Sequence, residues 1–76
     1  MSENNKKRWI VENADKKRAA LAVSPSKLAK QAGCAPVSVK DVLAGVPKTK
    51  YVCEKVVAGL QALGCKDIDQ SSIVKV

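Results

Sequence analysis

Few residues in this chain could carry out covalent or metal chemistry. Histidine is absent, which removes the commonest general base and metal ligand. Three cysteines, Cys34, Cys53 and Cys65, are odd in number and lack the close paired spacing of a zinc site. They are expected to be reduced and buried. The acids are scattered, and no glycine-rich loop could cradle a phosphate. An enzyme is therefore not expected, nor a cofactor, a metal or a small-molecule ligand. What remains is cationic chemistry: fourteen Lys and Arg stand against seven Asp and Glu, for a net charge of +7. Residues 1–50 hold eleven of the basic and four of the acidic side chains, so the whole excess lies there, while residues 51–76 balance at three of each. A one-sided positive field attracts polyanions, of which nucleic acid and anionic membrane are the usual candidates. A merely solubilising surface is the plainer reading of the same charges.

The elements that must hold these charges are few. A chain of 76 residues buries only about 60% of its unfolded surface and supports one core. With no Phe, one Trp and one Tyr beside many Ala, Val and Leu, that core suits short, closely packed helices. The longest apolar stretch, residues 19–23, is far short of the roughly 20 residues that span a bilayer. The polar N-terminus lacks the apolar centre of a signal peptide, so a cytoplasmic location is expected and no membrane partner.

Residues 1–12 read as a basic arm, with Lys6, Lys7 and Arg8 ahead of the apolar Trp9, Ile10 and Val11. Residues 8–11 and 72–76 could each be a short strand, pairing within a subunit or across a dimer. A first helix is expected from Asn13 as N-cap to about Val23, with Lys16, Lys17 and Arg18 as a solvated face. Ser24 then caps a second helix that has Pro25 at its first position and Leu28, Ala29 and Ala32 facing inward, and Gly33 ends it. A third helix starts near Pro36, turns Val39, Val42 and Leu43 to the core, and stops at Gly45. The longest helix, about residues 49–63, carries Val52, Val56, Leu60 and Leu63 as one apolar stripe. Gly59 is expected to weaken it by about 1 kcal/mol relative to alanine, and Gly64 to cap it. Trp9 and Tyr51 are expected at the core or its edge rather than as stacking platforms.

Residues 25–44 have the makings of a helix-turn-helix, in which two helices meet steeply across a very short turn. That corner needs a small residue at the crossing, supplied by Ala29, and a residue tolerant of positive φ, supplied by Gly33. Leu28, Ala32, Cys34, Val39 and Val42 occupy the inward positions. The run S-K-L-A-K-Q-A-G-C-A-P-V-S-V-K-D-V-L-A-G, followed by E-K-V-V-A-G-L-Q-A-L-G at residues 54–64, resembles the helix-turn-helix domains of the lambda-repressor-like superfamily. It is similar to phage repressors and Cro proteins, and more closely to Lac repressor family headpieces. The resemblance covers about 41 of the 76 residues. It implies an all-α fold, a four- to five-helix bundle with possible short terminal strands. Residues 1–12 would be the arm, 13–65 the helix-turn-helix domain, and 66–76 a C-terminal tail or dimerisation strand.

On this resemblance the chain is a free-standing transcriptional regulator, a repressor of phage or plasmid type, that binds double-stranded DNA as a homodimer. Its recognition helix, about residues 36–44, would lie in the major groove. Pro36, Val37, Ser38, Lys40 and Asp41 fall where family members reach base edges. Of these, Ser38, Lys40 and Asp41 can hydrogen-bond, and Val37 offers an apolar contact to a thymine methyl. Ala35 stands where the family has a capping Ser, and the position that would pair with Arg18 in some phage relatives is Leu43. The N–H groups of Ser26 and Lys27 form an anion-favouring helix start, with Lys27, Lys48 and Lys50 adding charge against phosphates and Lys6, Lys7 and Arg8 following a groove as an arm. Two other readings stand beside this one. Pro36, Val37 and Asp41 also suit a protein-interaction module, such as an antitoxin or antirepressor, and the charge alone suits a non-specific architectural DNA-binding protein. If the six cations Lys6, Lys7, Arg8, Lys27, Lys48 and Lys50 each meet a phosphate, log affinity plotted against log salt has a slope of roughly −5. A salt series in a binding assay reads it directly, and a slope near zero removes the electrostatic basis.

Overall fold

A computed structural model describes residues 7–76. Lys6, expected in the basic arm, lies outside the described residues. Strand β1 (Trp9–Val11) leads into α1 (Ala14–Ala20), α2 (Pro25–Ala32), α3 (Pro36–Leu43) and α4 (Lys50–Ala62). A single 3-10 turn (Gln70–Ser72) and strand β2 (Ile73–Lys75) close the chain. The protein is thus mostly helical with one two-stranded antiparallel sheet, in which Trp9 faces Lys75, Ile10 faces Val74 and Val11 faces Ile73. The possible strands do form, and they pair within the subunit.

Helices α2, α3 and α4 begin where local chemistry favours them. Ser24 and Thr49 each accept a hydrogen bond at a helix start, from the N–H of Lys27 at 3.1 Å and of Val52 at 3.3 Å. Prolines occupy the first turns of α2 and α3, where a missing N–H costs nothing. Gly33 ends α2 with φ +73, and a Cβ built there would meet nothing within 4 Å, so only the backbone angle selects glycine. The first helix departs from expectation. Asn13 adopts a left-handed conformation (φ 57) with no side-chain cap, so its contribution is tolerance of positive φ. The helix stops at Ala20, and Ala22 takes φ 56, so α1 ends earlier than the expected Val23 and a turn leads to α2, which starts at Pro25 as expected.

The core gathers Leu28 and Ala29 from α2, Val39 and Val42 from α3, and Cys53, Val56, Val57 and Leu60 from α4. Residues 66–76 join it rather than trail away: Ile68 and Ile73 are buried, and Gln61 Nε2 donates to the Ile68 carbonyl at 2.8 Å. Gly59, expected only to weaken α4, has a second role. A Cβ there would stand 2.9 Å from the Ala32 Cβ and 3.1 Å from the Ala32 backbone, so two helix backbones approach where only hydrogen fits. Gly59→Ala is therefore expected to lower stability by about 1–2 kcal/mol despite its better helix propensity, a fall of roughly 5–10 °C in Tm. A rise in Tm would contradict the close approach. Gly33→Val is expected to cost a similar amount through φ alone.

Candidate functional site

Helix α3 is anchored from one side. Val39 and Val42 are fully enclosed and Leu43 packs on the core's edge. The opposite side is open: Pro36, Val37 and Lys40 are exposed, and Ser38 and Asp41 are partly so. Val37 is 69% exposed, the highest value among the large apolar side chains of the described residues. The five expected reading residues therefore share a solvent-facing surface on one helix. Ala35 supplies no side-chain cap to that helix.

The expected phosphate contacts divide. Lys27 is exposed, but its N–H is already bound by Ser24 Oγ at 3.1 Å. Of the two amides expected to be open, only that of Ser26 keeps the character of an unfilled helix start. Lys48 is paired rather than free. Its Nζ lies 2.7 Å from Asp41 Oδ2, with the two side chains 17% and 35% exposed. Its backbone is held too, since Trp9 and Lys48 exchange two N–H to carbonyl bonds of 2.9 and 2.8 Å. Lys50 sits with Nζ 5.2 Å from the centre of the Trp9 ring, a cation–π contact. Lys7 and Arg8 are exposed, yet the Arg8 carbonyl accepts from the Val76 N–H at 2.7 Å, so the chain is tied down from residue 8 onward. Two members of the expected solvated face on α1 are also engaged. Arg18 bonds Asp15 at 3.0 Å and donates to the Val23 carbonyl at 2.6 Å, and Lys17 donates to the Asp67 carbonyl at 2.6 Å.

Tyr51 was expected at the core or its edge, and it is 62% exposed, with the Lys55 ammonium 5.3 Å from its ring. The apolar stripe itself contained the signal: Tyr51 lies roughly 100° around α4 from Val52, with Lys55 one turn further on. Trp9 does pack against the core.

Nothing in the cysteine chemistry points to catalysis. Burial pushes the Cys53 thiol up to about 11, helped by the neighbouring Glu54 charge. Burial also raises Cys65, whose thiol donates to Asp67 Oδ1 at 3.1 Å. Burial raises Cys34 as well, although that side chain is only half-buried rather than enclosed. All three are free thiols. Among the described residues, no group of three or more potential metal ligands comes together, and no helix is long and apolar enough to cross a membrane.

No family model matches the chain, and no curated protein and no solved structure shows significant similarity to it. The Ser24 cap gives a local test of the α2 start. Ser24→Ala is expected to cost about 1 kcal/mol in chemical denaturation, and an unchanged midpoint would show that the cap bond carries no stability.

Proposed function

We propose that this chain binds double-stranded DNA as a small transcriptional regulator of the repressor type, with α3 in the major groove and the start of α2 against the phosphate backbone. The observation that carries the reading is the asymmetry of α3. Its Val39 and Val42 side is locked into the core while Pro36, Val37 and Lys40 stand uncovered on the other. A helix held this way, one short turn after another helix that ends in a left-handed glycine, can be pressed against a duplex without rearranging its own packing. The net charge of +7 supplies the long-range attraction. One such module covers little surface, so tight binding calls for a homodimer on a two-fold symmetric site.

A protein-interaction reading draws on the same face, because an apolar Val37 at 69% exposure suits a protein groove as well as a thymine methyl. The two readings part in a mobility-shift assay against random duplex and the protein's own promoter region. Retention of neither probe at low salt favours the protein partner, and equal affinity for both favours architectural binding. With Lys48 held by Asp41 and Lys50 set over the Trp9 ring, fewer than six of these cations meet phosphates, and the salt slope expected is shallower than roughly −5. Lys40→Ala, at an exposed position, is expected to weaken duplex binding about tenfold or less with no shift in Tm. An equal loss of melting temperature in Lys40→Ala and Gly33→Val would overturn the assignment of Lys40 to binding.

A further inference from the structure

We infer that the Asp41–Lys48 ion pair is a preassembled reader of a single C·G base pair, an inference that rests on the DNA-binding reading above. Asp41 is the sixth residue of α3 and Lys48 lies in the loop that joins α3 to α4, and their Oδ2 and Nζ lie 2.7 Å apart. Both ends of the pair are fixed. Asp41 rides on a helix whose neighbouring Val42 is buried. Its carbonyl accepts from the Val46 N–H at 2.9 Å, and Lys48 is clamped to Trp9 by two backbone bonds. The outcome is one acceptor beside one donor, both partly solvent-accessible, held in a set order with little left to reorganise.

That order complements one edge in particular. In the major groove cytosine offers its N4 amino donor, and guanine offers the adjacent O6 and N7 acceptors. The Asp41 carboxylate accepts from N4. The Lys48 ammonium has three donors, of which one serves Asp41 and the others reach O6 and N7. An A·T pair also sets an amino donor beside a carbonyl acceptor, but the next group along is the thymine methyl rather than a second acceptor, so the ammonium loses a partner. Lys48 also answers an electrostatic objection to an acid in this position. An unpaired carboxylate is repelled by the flanking phosphates, whereas a neutralised one is not. A simple structural clasp between α3 and the loop would need the ion pair too, but would show no preference among base pairs.

The test is selection from a random duplex pool by the wild-type chain, by Asp41→Asn and by Lys48→Met, with thermal melts of each. The expected result is one position per half-site fixed as C·G by the wild type. Both variants lose that preference by about tenfold while preferences elsewhere persist. Folded variants that retain the C·G preference, or that change only overall affinity, overturn the inference. Should a substitution unfold the domain, the wild-type chain still decides. Replacing the guanine at that position by 7-deazaguanine removes N7 and is expected to weaken binding about tenfold, and no effect overturns the inference. A wild-type chain that retains duplex without base preference overturns this inference and leaves DNA binding standing. One that retains no duplex at low salt defeats the DNA-binding reading itself.

Discussion

The fold depends on how closely α2 and α4 approach one another. Where Gly59 meets Ala32, a single added methyl would sit 2.9 Å from carbon, inside the distance at which atoms repel. This contact lets a core without phenylalanine close, because Leu28, Val56, Val57 and Leu60 can then touch across a short gap. It also fixes α2, and α2 fixes α3 through the three residues that separate them. The exposed face of α3 inherits its position from a crossing that it does not touch.

Much of this framework is legible in the amino-acid order. The starts of α2, α3 and α4 are marked by Ser24, Pro25, Pro36 and Thr49, and the inward residues recur at helical spacing, because caps and periodicity are local. What is not legible depends on residues far apart in the chain. Gly59 reads as a defect unless Ala32 is known to lie against it. Residues 66–76 read as a tail or dimerisation strand because Ile68 stands alone among polar residues and the run from Ile73 is short, and their burial comes from contacts with elements far earlier in the chain, α4 and β1. Asn13 has the side chain of a cap, but the chain enters α1 from a strand at an angle that demands a left-handed residue instead. On the candidate site, the residues of α3 are local and were identifiable. The partnership of Asp41 with Lys48 is a contact that composition cannot rank above solvation, whereas the Ser24 cap expected from the sequence already takes up the Lys27 amide.

The same distinction applies to charge. Counting gives +7, but several cations are already engaged. Arg18 and Lys17 secure α1 to its surroundings, Lys48 is neutralised and Lys50 lies over an indole. A basic protein thus uses part of its charge as internal fastening, while Lys27, Lys30 and Lys40 on α2 and α3 are exposed. Net charge therefore overstates how many cations stand without an intramolecular partner.

The indole of Trp9 stands at a junction: strand β1, the loop carrying Lys48 and the start of α4 all converge on it. As the chain's sole tryptophan, it makes intrinsic fluorescence a local gauge of that seam, whereas circular dichroism averages over the helices. Superimposable unfolding curves from the two signals would mean that the sheet and the helical core come apart as one cooperative unit. A fluorescence change at lower temperature would mark the joined chain ends as a separately melting element.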